Sequence, residues 1–250
     1  MKKIICLFLI LVSASCGKSS PRMFHKSYRV GVDPSFFPTE LGQQQVNVYA
    51  FISDLIRAIE THEGVQIEIV PLSWDNLIDE MTLGKVNGVI SSAPPNLINM
   101  SKYTFSDPIL CTGPVLVVPK TSSVCDLSQL GGKVVATRYG SDEIEIIANY
   151  PNTQFIFYDR VASALELVSL GNIQATLIPI ILANRYVEDL FHNSLKIVSE
   201  PLTNEGLRLL IPLKGDQNLP AVFNRGTAHL YKNGEYQKIL AKWALSQHKE

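Results

Sequence analysis

The chain has 250 residues, of which 46% are hydrophobic and 18% charged, with a formal net charge of −1. Near-neutral charge excludes the basic surplus of a nucleic-acid-binding surface, and the length allows one large domain or two modest ones. Beyond the first residues no apolar run is long enough to span a bilayer, so the remainder reads as soluble and globular.

Lys2 and Lys3 precede an unbroken apolar stretch from Ile4 to Val12, and Ser13, Ala14 and Ser15 then lead to Cys16. So short a span reads as an export signal, residues 1–15, rather than a permanent anchor. It resembles the bacterial lipoprotein signal, which implies that the Cys16 thiol receives a diacylglycerol and becomes the mature N-terminus. Ser13 departs from the leucine usual three residues before that cysteine. Residues 16–27, polar and loose at 17–21, read as a tether. Each buried methylene of an acyl chain would add ~0.8 kcal/mol of membrane affinity.

Tyr28 to Val32 alternates as a strand, and Asp33, Pro34 and Ser35 break it. Phe51, Ile52, Leu55, Ile56 and Ile59 recur at helical spacing, predicting an amphipathic helix over 48–61. Residues 65–70 form a β-branched strand ending at Pro71. Ser73 can cap a short helix carrying Leu77, Ile78 and Met81, which Gly84 stops. Residues 86–90 read as a buried strand and 114–120 as an extended apolar segment. Cys111 and Cys125, the cysteines left after processing besides Cys16, flank that segment. An oxidising compartment would let them pair and their placement could point them apart, so the pairing stays open.

The grammar then repeats. Residues 133–137 predict a strand, Ser141 a cap for a helix to Asn149, and 154–158 a second strand. Asp159 caps a helix over 161–170 that Gly171 ends. Residues 83–90 (LGKVNGVI) are echoed in kind by 170–177 (LGNIQATL): a terminator, a polar residue, a β-branched residue, an amide, a small residue and then strand. Alternating strand and helix, twice over, predicts two similar α/β lobes with parallel sheets covered on both faces. A second extended apolar segment at 207–212 would return the chain to the first lobe. Asn218 caps a helix to Tyr231, Asn233-Gly234 turns the chain, and 235–245 is the last helix. The division expected is 28–117 with 207–250 for lobe 1, and 118–206 for lobe 2.

No catalytic constellation is visible. The five histidines are scattered, none at metal-ligand spacing, and no Gly-Lys-Ser/Thr loop, nucleophile elbow or Cys-x-x-Cys occurs. Neither metal nor cofactor is expected. In parallel α/β lobes ligands sit beyond the carboxyl ends of strands, near helix N-termini. That rule selects 33–37, 72–75, 91–95 and 138–142. It puts Phe36 and Trp74 at a cleft mouth, although each could equally serve core packing. It also puts Arg138 where a cation can meet an anionic ligand.

At these residues the chain resembles the bacterial extracellular solute-binding proteins of family 3, the polar amino-acid receptors of ABC importers. The similarity runs from Tyr28 to Ala244. Its most specific segment is Phe105-Ser106-Asp107-Pro108, preceded by the Ser91-Ser92 turn, with Asp33 to Pro38, Pro71 to Ile78, Gly140-Ser141 and Asn233 to Trp243 in the same order. The resemblance implies a two-lobed type II periplasmic-binding-protein-like fold with two hinge strands and a ligand cleft between the lobes. It also implies a monomer that delivers a small polar solute to a membrane permease. By position, Phe36 and Trp74 match an aromatic pair that sandwiches the solute, and Asp33 a polar residue at its far end. Ser91 and Ser92 would offer backbone and hydroxyl contacts, while Arg138 and Ser141 would face the solute from lobe 2.

The departures concern charge. The family's carboxylate-clamping arginine falls at Asn99, a hydroxyl that helps hold the ammonium falls at Pro94, and the acid that pairs with it falls at or near Pro179. An asparagine and two prolines do not replace a charged clamp. Two readings follow: an amino acid in a changed pose, with Arg138 taking its carboxylate, or another small molecule. An enzyme on the same fold, of the dehydratase kind with Asp142 or Glu143 as acid or base, and a sensor without transport are the alternatives to a receptor. Acids in a first helical turn more often serve the helix dipole, which favours the receptor.

Overall fold

The structure, a computed structural model, describes residues 26–35, 39–41 and 44–245. The expected signal 1–15, Cys16, most of the tether, and Phe36 lie outside them.

The first strand, β1 (Ser27–Val32), is followed by a small antiparallel hairpin of β2 (Thr39–Leu41) and β3 (Gln44–Val46). Helix α1 (Val48–Glu63) forms where the apolar spacing requires it. Asn47 accepts the Ala50 N–H at 2.8 Å to start the helix, and Phe51, Ile52, Leu55, Ile56 and Ile59 are all buried. There follow β4 (Gln66–Pro71), a single 3-10 turn (Trp74–Asn76), α2 (Leu77–Thr82), β5 (Gly88–Ser91), α3 (Leu97–Met100), β6 (Tyr103–Phe105) and β7 (Leu110–Cys111). The chain then enters a second sheet through β8 (Pro114–Pro119). Strand β9 (Val134–Thr137), α4 (Ser141–Asn149), β10 (Gln154–Phe157), α5 (Val161–Ser169), β11 (Ala175–Pro179), α6 (Ile180–Asp189) and β12 (Leu195–Ile197) complete it. Finally β13 (Gly206–Pro212) rejoins the first sheet, and α7 (Asn218–Lys232) and α8 (Glu235–Lys242) pack against α1.

The two sheets have the same plan. One runs β4-β1-β5-β13-β6, the other β10-β9-β11-β8-β12. Three strands of each are parallel, and the crossing strand, β13 or β8, lies antiparallel beside the third. The sheets are therefore mixed rather than wholly parallel, because each crossing strand enters its sheet from the other lobe. The expected boundary at 117/118 falls inside β8, all of which pairs within the second sheet.

The sequence echo has a structural meaning. Gly84 and Gly171, at φ +71° and +76°, both end a helix in the left-handed region that side chains rarely adopt. The Asn87 side chain accepts the Arg29 N–H at 2.7 Å, and the Gln174 side chain accepts the Val134 N–H at 2.9 Å. Each amide thus ties the entry of its lobe's middle strand, β5 or β11, to the neighbouring parallel strand. Burial follows the strand period on both crossing strands. Val115 and Val117 join the core under α5 and α6, while Leu116 and Val118 face Leu127, Leu130 and Ile146 on the opposite side. On β13, Leu207, Leu209 and Ile211 join the α1–α7 core, and Leu210 packs with Leu77 and Met81 beneath α2.

Three expected caps are off by one residue, Ser141 and Asn218 too late and Asp159 too early. Gly140, Arg160 and Gln217, rather than Ser141, Asp159 and Asn218, hold the N-cap positions of α4, α5 and α7. For α7 the reason is visible: Asp216 accepts the Asn218 N–H at 3.1 Å, freeing the Asn218 amide to donate to the Tyr28 hydroxyl at 3.0 Å. Ser73 precedes the 3-10 turn without a side-chain cap, its hydroxyl accepting instead from the Asn76 amide at 2.8 Å. Cys111 and Cys125 are not joined in a disulfide. Among the described residues no helix is long and apolar enough to cross a membrane.

Candidate functional site

Strands β5, β9 and β11 end at Ser91, Thr137 and Pro179, and the residues just beyond converge on one cavity of about 530 Å³. From the first sheet come Ser92, Ala93, Pro94 and Pro95; from the second come Arg138, Pro179 and the α4 residues Glu145, Ile146 and Asn149. Leu182 of α6 and the two crossings form the rest of the wall, the crossings through Thr112 on one side and residues 202–206 with Arg208 on the other. The cavity thus lies where both sheets and both crossings meet.

The crossings are bound to each other. Thr112 N–H donates to the Glu205 carbonyl at 3.0 Å, and Leu202 N–H donates to the Pro114 carbonyl at 2.8 Å. The Ser91 hydroxyl accepts the Ala93 N–H at 3.1 Å, which folds the chain over at the end of β5 and leaves Ser91 buried with Ser92 exposed to the cavity.

The charges in the wall are Arg138, Arg208, Glu145 and Glu205. The Arg138 side chain is half exposed, with Nη2 at 3.8 Å from Glu205 Oε1. Arg208 is different: it is 7% exposed and stands opposite Ser91 in the β13–β5 register. One guanidinium nitrogen donates to the Asn204 carbonyl at 2.6 Å. Burial pulls its pKa below the ordinary arginine value, with Cys111 and Asp107 opposing that effect. Sequence reasoning passed over Arg208 because residues 207–212 read as an apolar segment. A lone arginine inside Leu-Arg-Leu-Leu-Ile was the available signal, since a charge in a buried strand is rarely incidental.

Of the residues expected at the site, Ser92 and Arg138 stand in the cavity wall. Ser91 lies directly beneath it, and Asp33 and Trp74 fall outside it. Asp33 is 5% exposed, and its carboxylate accepts both the N–H and the hydroxyl of Ser35 at 2.7 Å, closing the turn after β1. Trp74 is 48% exposed on the 3-10 turn after β4. Ser141 is the first residue of α4, and its side chain, like Phe36, is outside what is described. At the positions where charge was expected and absent, Pro94 and Pro179 line the cavity, and the Asn99 amide donates to the Pro94 carbonyl at 2.8 Å. Asn99 therefore braces the wall instead of presenting a charge to the cavity. Among the described residues no cluster of three histidines, cysteines or carboxylates could hold a metal ion.

Known proteins are similar to this chain in sequence and in fold. The chain is 24% identical over 242 residues to the arginine-binding extracellular protein ArtP of Bacillus subtilis, a match covering 95% of this chain and 94% of that protein. It is 22% identical over 223 residues to a probable amino-acid ABC transporter-binding protein of Haemophilus influenzae, covering 87% and 84%. Among solved structures, the L-cystine solute receptor of Neisseria gonorrhoeae in its unliganded open conformation superposes with a TM-score of 0.70 at 20% identity, covering 89% and 94%. That likeness gives the fold its class: a two-lobed, type II periplasmic-binding-protein-like arrangement of two mixed α/β sheets. These relatives are binding proteins, not enzymes. The family model for bacterial extracellular solute-binding proteins, family 3, matches residues 28–246, and the chain belongs to that family.

Proposed function

We propose that this protein is the extracytoplasmic receptor of an ABC importer, capturing a small polar solute, an amino acid or a related small acid, by closing its lobes around it. The observation that carries this reading is the cavity walled by the strand ends of both sheets and by both crossings. A solute there gains contacts to two bodies at once, and so favours the form in which they approach. The relatives named for arginine, amino acids and L-cystine set the solute class. Binding, not turnover, is the activity: the cavity's acids, Glu145 and Glu205, share the wall with two arginines, a balance suited to holding a zwitterion.

Ser92 and Arg138 reach the solute from opposite sheets. Trp74 joins as the lobes close, offering an apolar face at the mouth. Cys16 carries the lipid, and residues 16–27 tether the binding lobes to the membrane.

A thermal-shift screen of the purified protein against the twenty amino acids and small carboxylic acids tests the receptor. A true solute at a hundred times its Kd stabilises the folded form by ~2.7 kcal/mol and raises Tm. No rise with any member of the panel, for folded protein, would refute the reading. Trp74→Ala should weaken the solute found by about 1–3 kcal/mol; unchanged affinity removes Trp74 from the site. Cys16→Ala should release the protein from the membrane fraction of expressing cells, and retention there would refute the anchor.

A further inference from the structure

We propose that Arg208, not Arg138, is the cation on which the solute's carboxylate docks, and that the solute is a zwitterion whose ammonium faces the Glu205 side of the same wall. The inference rests on the receptor reading above and deepens it.

The argument begins with burial. A guanidinium taken out of water loses hydration that a carboxylate partner normally restores. Among the described residues no carboxylate lies within 4.0 Å of the Arg208 guanidinium, and one hydrogen bond, to the Asn204 carbonyl, occupies one of its five N–H donors. Its place in the cavity wall leaves the remaining fork to whatever enters. The desolvation that lowers its pKa is the same cost that an incoming anion would relieve.

Arg138 is poorly suited to the same task. It is half exposed, so water screens its charge, and Glu205 stands 3.8 Å from its guanidinium. A carboxylate at Arg138 would compete with one already present, whereas at Arg208 it would meet a buried cation with no described carboxylate within 4.0 Å, Asp107 acting on it only from farther off. Electrostatic attraction strengthens as the local dielectric falls, so the buried site binds the anion more tightly.

The net balance of the wall narrows the solute class. Two arginines and two glutamates sum to zero formal charge. A dianion such as phosphate would be repelled by Glu145 and Glu205, and a simple cation by the arginines. A zwitterion satisfies both signs. Pro94, Pro179 and Asn99 contribute no charge, and of the four charges in the wall Glu205 and Arg208 stand together on one crossing. Because that crossing also joins the lobes, holding the solute on it couples occupancy directly to closure.

Two measurements test the assignment. In the first, saturation-transfer NMR follows acetate binding to the wild-type protein, Arg208→Gln and Arg138→Gln. Acetate should give a signal in wild type, a weaker one in Arg138→Gln, and none in Arg208→Gln. An absent wild-type signal, or one unchanged in Arg208→Gln, overturns the proposal. In the second, calorimetry compares each amino acid with its carboxamide, which lacks the negative charge. Wild type should prefer the acid on the order of a hundredfold, and Arg208→Gln should reduce that preference to near unity. A preference that survives Arg208→Gln overturns Arg208 while leaving the receptor reading intact. Acetate binding that needs Arg208, in a protein that binds no amino acid, overturns the zwitterion while leaving a receptor for a small acid. Should Arg208→Gln fail to fold by circular dichroism, Arg208→Lys keeps the charge but loses the planar fork. The acid-over-amide preference should then fall about tenfold, and an unchanged preference would count against the assignment.

Discussion

Tyr236 has no solvent exposure, and its hydroxyl donates to the Ile109 carbonyl at 2.9 Å, joining the last helix to the loop before β7. Phe51 meets its ring edge-on at 5.9 Å and Tyr231 stacks on it at 4.0 Å. Burial first, and then Tyr231, push the phenol far above its ordinary value of 10.0. Because the folded value is raised, its contribution to stability is complete below pH 10 and declines as pH rises beyond it, where only the unfolded chain ionises. Tyr236→Phe should cost about 1–2 kcal/mol of unfolding free energy in urea, since the Ile109 carbonyl loses its donor. The gap between wild type and variant should narrow above pH 10, the variant having no phenol to ionise. A gap that holds constant into alkali would refute the assignment of the pH effect to Tyr236. At this scale position after a strand end was only a partial guide: Ser92 and Arg138 stand in the cavity wall, whereas Asp33 and Trp74, which follow β1 and β4, do not. The sequence was silent where a residue's role depended on a distant partner. Arg208 faces Ser91 only because β13 returns from the second lobe to pair with β5, and no local pattern announces that register.

Asp54, on α1, is the clasp that holds the end of α8. Its Oδ2 accepts from Lys242 Nζ at 2.6 Å and from Trp243 Nε1 at 2.9 Å. Burial is the largest single influence on this carboxyl and raises its pKa, but the hydrogen bonds from Lys242 and Trp243 together outweigh it and hold the group below 3.8. A lowered folded value gives stability that is present above pH 3.8 and lost as pH falls through the folded pKa. Amide exchange over residues 235–245 should therefore quicken on acidification earlier than exchange in the middle of α1. Asp54→Asn should quicken it already at neutral pH, consistent with a loss of about 1–2 kcal/mol, and should abolish the acid response; an intact acid response would assign the effect elsewhere. Elements themselves were legible in proportion to their length and pattern. Helix α1 carries five buried residues at helical spacing and was visible from sequence. Strand β12 is three residues long, pairs with β8 more than seventy positions away, and left no signature. Helix α6 was obscured because it begins directly after Pro179, where the apolar run of β11 continues unbroken into Ile180 and Ile181. Cap positions slipped by one residue because a capping side chain can be replaced by its neighbour, as Asp216 replaces Asn218.

In the whole molecule, two copies of one sheet plan are joined by segments that touch each other, and the duplication was readable in the echo at 83–90 and 170–177. What the sequence could not supply was the contact between the crossings. Gly113, ahead of β8, passes so close to Thr203 that an added Cβ would sit 2.7 Å from its hydroxyl and 2.9 Å from its carbonyl oxygen. Its own carbonyl accepts the Ile180 N–H at 3.0 Å, so the backbone here is held from a third side as well. Any rotation of one lobe against the other must be absorbed near this contact, because both crossings lie there and both sheets are rigid. Gly113→Ala would force the crossings apart by a few tenths of an ångström. The hydroxyl can turn aside, but the carbonyl is backbone and cannot. An overpacked contact of this kind costs about 1–3 kcal/mol of stability, and here the strain falls on the hinge. Solute affinity should drop about five- to thirtyfold, the equivalent of about 1–2 kcal/mol withdrawn from closure. Small-angle scattering should show a smaller solute-induced contraction in the variant than in wild type. Adding Thr203→Ala removes the nearer obstacle and leaves the carbonyl, so the double variant should regain only part of the affinity. Full recovery would place the strain in the side chain alone, and wild-type affinity in Gly113→Ala would mean that closure does not run through these crossings.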